Sequence, residues 1–331
     1  MRPMRALVTG GGGFLGRYIV EALLAEGCAV RTLSRGEHPE LAALGVEHVR
    51  ADLAGPVADI ERAFRGRDVV FHVAAKAGVW GPRAEYERAN VSATRNVIAA
   101  CERARVERLV YTSSPSVTFD GRDQVGAGNE LPYPARYLAH YPRTKAEAER
   151  MVLGANGRWG LATCALRPHL VFGPRDPHLI PRVIELARAG RLPIVGDGSS
   201  LVSLTYVENA AHAHLDAAAT LAIGAPHAGR AYFIVQHEPV RLWDWLFALF
   251  DVLGVPRPTR RISRAAAYTV GAVAETAWRV LPLPGEPPLT RFVALQLASS
   301  HTYDLGPARR DFGYRERVGL AEATARLVAS L

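Results

Sequence analysis

Short apolar runs alternate with amphipathic segments along the first half of the chain. The short runs are rich in Val, Leu and Phe, and the segments between them repeat apolar residues at helical spacing. We predict strands at Arg5–Thr9, Ala29–Leu33, Glu47–Arg50, Asp68–His72 and Arg108–Thr112, and helices at Phe14–Ala25, Val57–Phe64 and Tyr86–Arg103. This alternation predicts an α/β fold of the Rossmann type, a doubly wound parallel sheet with helices on both faces.

The alternation ends after Arg167, where prolines and a Gly196-Asp197-Gly198 turn break the pattern. We therefore expect residues 1–167 to form the dinucleotide-binding domain, with return segments near 203–218 and 231–235. Residues 168–202 and 236–331 are expected to form a smaller, mostly helical substrate-binding region.

The most apolar stretch of the C-terminal part is 265–281. Glu275 and Arg279 interrupt it, and it is shorter than the roughly 20 apolar residues of a spanning helix. The pattern favours a helix packed over the cleft. The alternative is an interfacial helix that contacts a membrane surface to collect an apolar substrate.

Composition narrows the protein classes. The net charge is +8, but the basic residues are scattered, so we expect no nucleic-acid partner. Three widely spaced cysteines suggest neither a disulfide framework nor a metal site, and no signal peptide precedes the first strand, so we expect a cytoplasmic protein. Among 40 Lys and Arg residues only Lys76 and Lys145 are lysines, which marks both as sites that require a compact ammonium.

A glycine loop, Thr9 to Gly16, connects the first strand and helix. Gly10, Gly13 and Gly16 follow the three-residue spacing of a dinucleotide loop, in which the backbone approaches a pyrophosphate at a helix N-terminus. At the end of the second strand, Ser34-Arg35 replaces the acid expected for NAD, and an arginine favours the 2′-phosphate of NADP(H). NAD use stays open. Asp52 is a candidate for contacting the adenine, with a turn role as the alternative.

The segment Tyr141-Pro142-Arg143-Thr144-Lys145 leads into a helical run. Residues four apart share a helix face, so the phenol and the ammonium can reach one site. A neighbouring cation is expected to lower the pKa of Tyr141 and make it an acid/base group. At the end of the fifth strand, Ser114, or second Ser113, is expected to bind the substrate oxygen.

These motifs, with His72-Val73-Ala74-Ala75, Asn90 and Leu166-Arg167-Pro168, resemble an extended short-chain dehydrogenase/reductase over nearly the whole chain. Within that group the chain is similar to the 3β-hydroxysteroid dehydrogenase/isomerase family and its bacterial 2-alkyl-3-oxoalkanoate reductases of olefin biosynthesis. That similarity is carried by the runs Ala74–Gly81, Tyr111–Val117 and Glu286–Phe292.

The resemblance implies reduction of a ketone, or oxidation of the secondary alcohol, of an apolar substrate. Tyr141 is then the proton donor, Lys145 binds the nicotinamide ribose, Ser114 positions the oxygen and Asn90 is a further catalytic residue. The implied cofactor contacts extend to a larger set: Gly10, Gly13, Phe14, Leu15, Gly16, Ser34, Arg35, Asp52, Leu53, Ala74, Ala75, Tyr141, Lys145, Pro168 and Leu170.

Lys76 follows the fourth strand and is expected to pair with the carboxylate of a 3-oxo acid, with an exposed loop lysine as the alternative. Trp80 and Ser116 are further substrate candidates. His212 and His214 are two apart on a helix and are not expected to bind metal. A homodimer, or association with enzymes of the same pathway, is also expected.

Three other functions stay open. A 3β-hydroxysteroid or 4-carboxysterol 3-dehydrogenase would use the same machinery, and so would a nucleotide-sugar epimerase or dehydratase. Ser34-Arg35 and the apolar C-terminal segment count against the nucleotide-sugar enzymes. A non-catalytic NADP(H)-binding regulator is the third, although such proteins often lose the tyrosine or lysine that this chain retains.

Overall fold

A computed structural model describes residues 4–281 and 283–331. Its strands are β1 (Arg5–Thr9), β2 (Ala29–Ser34), β3 (Glu47–Arg50), β4 (Val69–His72), β5 (Arg108–Thr112), β6 (Gln124–Ala127), β7 (Ala162–Pro168), β8 (Val171–Phe172), β9 (Ile194–Val195), β10 (Leu201–Val202), β11 (Thr205–Tyr206), β12 (Ala231–Ile234), β13 (Val240–Arg241), β14 (Arg261–Ile262) and β15 (His301–Tyr303). Seven of them form one parallel sheet in the order β3-β2-β1-β4-β5-β7-β12. The predicted Rossmann-type sheet is confirmed.

The helices are α1 (Phe14–Ala25), α2 (Pro39–Ala42), α3 (Val57–Phe64), α4 (Arg83–Tyr86), α5 (Ala93–Ala104), α6 (His140–Gly154), α7 (Leu179–Arg188), α8 (Val207–Thr220), α9 (Leu242–Val252), α10 (Arg264–Val280), α11 (Arg291–Ala298), α12 (Gly306–Phe312) and α13 (Leu320–Val328). The helix predicted at 86–103 is wrong in one respect. A π-helical segment, Glu87–Ser92, joins α4 to α5 there. A π-helical turn changes only the local number of residues per turn, so the spacing of apolar residues does not reveal it.

Strand β1 shows how the two faces of the sheet are covered. Ala6 and Val8 point into the core beneath α1 and α8, whereas Leu7 points into the core beneath α3, α5 and α6. The alternation follows from the two-residue period of a strand, and burial on both faces explains why the central strands are almost wholly apolar.

The second half of the chain is interlocked with the first. Strand β12 adds to the central sheet beside β7, and α8 packs on α1, but β11 pairs with β8 outside that sheet. A four-stranded sheet, β13-β10-β15-β6, joins residues 124–127 to residues 301–303. Residues on both sides of the expected boundary at 167 therefore share sheets.

Helix α10 lies at the surface with one buried row, Ala267, Gly271 and Glu275. Its outward row includes Val270, Val273 and Val280, and at least half of each of these side chains is exposed. Among the described residues, no helix combines the length and apolarity needed to cross a membrane.

Candidate active site

A cleft of about 680 Å³ opens at the carboxyl ends of β1, β2, β4 and β5. Ligands of open α/β sheets bind at this edge, where the strand order reverses between β1 and β4. Most residues proposed from the sequence line it: Gly10, Gly13, Phe14, Leu15, Gly16, Ser34, Arg35, Asp52, Leu53, Ala74, Ala75, Lys76, Ser114, Tyr141, Lys145 and Pro168. Asn90, Trp80, Ser116 and Leu170 do not line the cleft. Asn90 and Ser116 each bond a residue that does, Lys76 and Ser114.

The glycine loop fits a dinucleotide pyrophosphate. Gly10 has a φ of 71°, and a Cβ there would lie 2.9 Å from the Ala74 Cα, while a Cβ on Gly16 would collide with the Gly10 carbonyl oxygen. Helix α1 begins after Gly13 with no side-chain cap and no acidic residue in its first turn. Its first N–H groups and positive dipole end are thus left for an anion.

At the far end of the cleft, the Ser34 hydroxyl donates to the Gly36 carbonyl at 3.2 Å, and the Arg35 side chain is exposed. Asp52 accepts from the Ala54 N–H at 2.9 Å and pairs with Arg88 at 2.6 Å. Burial would raise the pKa of Asp52, but these two donors outweigh it and lower that pKa. Asp52 thus remains a carboxylate, held by its own turn.

Sequence reasoning missed several residues of the cleft. They are Leu33, His38, Ala51, Ala54, Val73, Ala77, Glu85, Arg88, Ala89, Ala93, Thr112, Val171 and His178. The ring of His38 stands against Gly12 of the glycine loop and its Nδ1 lies 3.1 Å from Glu40. Val73, Ala77 and Thr112 lie in the runs that carry the family resemblance, although no site role is predicted for them. No motif marks the other positions, most of which reach the cleft only through the packing of separate segments.

Tyr141 lies in the first turn of α6, beside Ser114. Burial raises the pKa of Tyr141, and the Ser114 hydroxyl opposes the rise without reversing it. The expected lowering of this pKa by Lys145 is therefore wrong for the protein alone, since desolvation of the phenolate dominates. Tyr141 keeps its proton, which suits a proton donor.

Lys145 is buried at the floor of the cleft. Its Nζ donates to the Thr112 carbonyl at 2.5 Å and lies 4.2 Å from the centroid of the Tyr111 ring. Burial lowers the pKa of Lys145 to about 7, and the carboxylate of Glu149 partly opposes this shift. The ammonium is therefore held by one carbonyl and one ring face, close to its titration point.

Behind Lys145 lies a buried ion pair that sequence reasoning missed. Glu149, one helical turn further along α6, accepts from Arg167 at 2.6 and 3.0 Å and from the Tyr133 hydroxyl at 2.5 Å. Burial would raise the pKa of Glu149, but Arg167 outweighs it and lowers that pKa. The four-residue steps from Tyr141 to Lys145 to Glu149 were the available signal.

Ser114 is oriented by Ser116. The Ser116 N–H and hydroxyl donate to the Ser114 Oγ at 3.3 and 2.9 Å, at the start of the 3₁₀ turn Pro115–Thr118. Because Ser114 accepts these bonds, its own hydrogen can be donated to the Tyr141 oxygen beside it, and this bond opposes the rise in the Tyr141 pKa. Ser116 therefore positions Ser114, and Ser116 itself lies outside the cleft lining.

Asn90 is buried in the π-helical segment. Its Oδ1 accepts from the Lys76 N–H at 2.7 Å, and its Nδ2 donates to the Lys76 carbonyl at 3.2 Å and to the Thr144 Oγ at 3.0 Å. These bonds tie the loop after β4 to α6. The catalytic role expected for Asn90 stays a prediction.

Lys76, Trp80 and Leu170 are the remaining residues that the sequence suggested for substrate or cofactor binding. Lys76 Nζ lies 3.0 Å from the Glu85 carboxylate. Trp80 has the Arg279 guanidinium 5.6 Å from its ring centroid. Leu170 has a φ of 43°, a strained conformation between β7 and β8.

The two histidines that are not expected to bind metal contact other residues of the fold. His214 bonds the Ala210 carbonyl and the Thr112 hydroxyl, and His212 contacts Arg317. In the part of the chain that the structure describes, no group of three or more His, Cys, Asp or Glu side chains is arranged to hold a metal ion.

A nucleotide-binding cleft that contains a phenol, a serine hydroxyl and a buried lysine is the site of an NAD(P)-dependent oxidoreductase acting on CH–OH groups. The family model described as the 3-beta hydroxysteroid dehydrogenase/isomerase family matches residues 7–264. The chain belongs to this family.

Named relatives agree with this assignment. The chain is 50% identical to a 2-alkyl-3-oxoalkanoate reductase of Stenotrophomonas maltophilia, over 99% of both chains. It is 47% identical to a protein of the same name from Shewanella oneidensis, over 98% of this chain and 86% of that one. Identity to a mouse sterol-4-alpha-carboxylate 3-dehydrogenase, decarboxylating, is 35%, over 99% and 91%.

Solved structures share the fold. The protein described as gox2253 is 27% identical, with a TM-score of 0.79 over 98% of this chain and 97% of that one. MoeE5 in complex with UDP-glucose and NAD is 28% identical, with a TM-score of 0.73 over 98% of each chain. A bound NAD in a protein of this fold agrees with the nucleotide cleft described above.

Proposed function

We propose that the protein reduces a 2-alkyl-3-oxoalkanoate to the 2-alkyl-3-hydroxyalkanoate with NADPH, as a step of lipid metabolism that leads to olefins. The observation that carries the proposal is the protonated phenol of Tyr141 beside the hydroxyl of Ser114, in the cleft that also contains the glycine loop. The two 2-alkyl-3-oxoalkanoate reductases, similar over nearly the whole chain, support the choice of substrate.

The residues of the cleft have complementary roles in this reaction. Ser114 donates a hydrogen bond to the ketone oxygen and Tyr141 donates the proton to it, so that the oxygen becomes the hydroxyl of the product. When bound, NADPH supplies the hydride for the carbonyl carbon. Lys145 would hold the nicotinamide ribose, with its ammonium already directed by the Thr112 carbonyl. Glu149 and Arg167 hold α6 against β7 behind them.

The preference for NADPH is proposed from Arg35, an exposed guanidinium at the end of β2, with Ser34 where an acid would select NAD. Loss of a charge-assisted bond to the 2′-phosphate reduces affinity roughly 10- to 100-fold. The variant Arg35→Ala is expected to raise the KM for NADPH by that factor and to change the KM for NADH far less. Equal changes for both cofactors would contradict the role of Arg35.

The test of the function is a screen of NADPH oxidation with a 2-alkyl-3-oxo acid, a 3-ketosteroid and a nucleotide sugar. We expect turnover of the first and its loss in Tyr141→Phe. The second candidate, a 4-carboxysterol 3-dehydrogenase, is favoured by the sterol-carboxylate relative, and turnover of the 3-ketosteroid instead of the oxo acid would select it. Binding of NADPH with no turnover of any substrate would select a regulator.

We also propose that α10 contacts an anionic membrane surface, so that the protein is cytoplasmic and peripheral to a membrane. Between residues 257 and 281 the charged side chains are five arginines and the buried Glu275, so this stretch carries a net positive charge. Glu275 pairs with Arg291 and Arg279, and Arg257 pairs with Asp251. Such a face suits anionic headgroups.

Vesicle sedimentation tests this contact. Wild type is expected to sediment with phosphatidylglycerol vesicles and not with phosphatidylcholine vesicles, and Val273→Asp is expected to weaken the binding. Equal binding to both kinds of vesicle, or none, would exclude an anionic lipid surface. The expected homodimer or association with pathway enzymes stays a prediction.

A further inference from the structure

The two lysines of the chain lie in the same cleft. Of 40 basic residues 38 are arginines, and both Lys76 and Lys145 line the proposed active site. An ammonium is a compact point charge on a flexible stem, whereas a guanidinium presents a planar fork. Lys145 binds the nicotinamide ribose in the proposed reaction. Lys76 has no role in that reaction so far.

The main chain of Lys76 is held by two hydrogen bonds, whereas its side chain is partly exposed. Asn90 bonds both the N–H and the carbonyl of Lys76 and is itself bonded to Thr144, the residue before Lys145. The backbone of Lys76 is therefore anchored two hydrogen bonds from the helix of Tyr141. Its side chain extends from this anchor past the ring of Tyr86, whose centroid is 5.2 Å from the Nζ.

The present partner of the ammonium is Glu85, which also lines the cleft. The Lys76 Nζ and the Glu85 Oε2 are 3.0 Å apart, and the two side chains are 34% and 56% exposed. An ion pair this exposed contributes little free energy, because water screens the charges. A second carboxylate that enters the cleft can therefore replace Glu85 at little cost.

We infer that Lys76 binds the carboxylate of the substrate, and that Glu85 is the internal carboxylate which the substrate displaces, so that the pair selects oxo acids over neutral ketones. The inference rests on the proposed function, in which a carboxylate is attached to the carbon next to the ketone. A neutral ketone cannot replace Glu85, whereas an acid exchanges one carboxylate for another and gains the enclosure of the cleft.

The experiment compares an acid with its neutral counterpart. Because 3-oxo acids lose CO₂ readily, the pair is a 2-alkyl-3-hydroxy acid and its methyl ester, oxidised with NADP⁺ in the reverse direction. The variants are Lys76→Met and Glu85→Gln. The matched control is Arg83→Gln, which removes an exposed positive charge from the same helix as Glu85, at a position paired with Glu87 and outside the cleft lining.

The readout is the ratio of kcat/KM for the acid to kcat/KM for the ester. Lys76→Met is expected to lower this ratio about 10- to 100-fold, the value of a charge-assisted hydrogen bond, mainly through the KM of the acid. Glu85→Gln is expected to raise it about two- to fivefold, because the competing carboxylate is gone. Arg83→Gln is expected to leave it unchanged.

Three results would overturn the inference. They are an equal loss for acid and ester in Lys76→Met, an unchanged or lower ratio in Glu85→Gln, and a loss in Arg83→Gln as large as in Lys76→Met. Calorimetric titration of the acid into the NADP⁺ complex of Tyr141→Phe, with and without Lys76→Met, measures the same contact without turnover. If wild type oxidises neither compound, the proposed function fails, and this titration still decides whether Lys76 binds the carboxylate.

Discussion

Lys145 offers a direct test of how burial shapes the site. The pKa of its ammonium is lowered from 10.5 to about 7 because the group is buried with only the Thr112 carbonyl and the Tyr111 ring as close partners. Between these two pH values the unfolded chain binds a proton that the folded chain does not. The folded state is therefore stabilised as pH rises from about 7 to 10.5, and below 7 it carries the full penalty.

The magnitude follows from the size of the shift. At 1.36 kcal/mol per unit, the difference between 10.5 and about 7 amounts to at most roughly 5 kcal/mol. In Lys145→Met this dependence disappears, so the stability of the variant relative to wild type is expected to fall by a few kcal/mol between pH 6 and pH 10. Urea unfolding followed by tryptophan fluorescence measures both proteins, and other titrating groups cancel in the comparison.

The scarcity of lysine makes the pKa itself observable. Labelling with [ε-¹³C]lysine gives two signals, and Lys76→Arg assigns them. We expect the Lys145 signal of the cofactor-free protein to titrate near pH 7. A midpoint above 9, or a stability difference between Lys145→Met and wild type that does not change with pH, would refute the argument from burial.

Further predictions concern the buried ion pair and the glycine loop. Glu149→Gln is expected to destabilise the fold by about 3–5 kcal/mol because Arg167 is left buried without a counter-charge. The double variant Glu149→Leu with Arg167→Met is expected to restore most of that stability. Equal urea midpoints for the single and the double variant would contradict this. The same Glu149→Gln variant is expected to move the Lys145 signal to lower pH, because the carboxylate that favours the ammonium is gone. Gly10→Ala and Gly27→Ala both place alanine at a positive φ, at a cost of about 1–2 kcal/mol, but only at Gly10 does the new Cβ meet backbone atoms. Fluorescence titration with NADPH is thus expected to show at least a roughly tenfold loss of affinity in Gly10→Ala and none in Gly27→Ala, and equal affinities would count against the loop as the pyrophosphate site.

Local patterns predicted the scaffold well. The strand at Arg5–Thr9 and the helix at Phe14–Ala25 have the predicted bounds, because both depend on the spacing of apolar residues within a few turns. The π-helical segment at Glu87–Ser92 was not predicted. The wider winding of this segment has no signature in the amino-acid sequence. The segment nevertheless places Asn90 against the Lys76 main chain.

The sequence alone determined the nucleotide loop, the four-residue step from Tyr141 to Lys145 and the oxidoreductase class, since these features are contiguous in the chain. The tertiary structure decided how the side chains behave. The pKa of Tyr141 is raised and not lowered, the carboxylate of Glu149 faces Arg167, and Lys76 meets Glu85. Burial and charge pairing depend on distances between segments that only folding brings together, and these distances set the chemistry of the cleft.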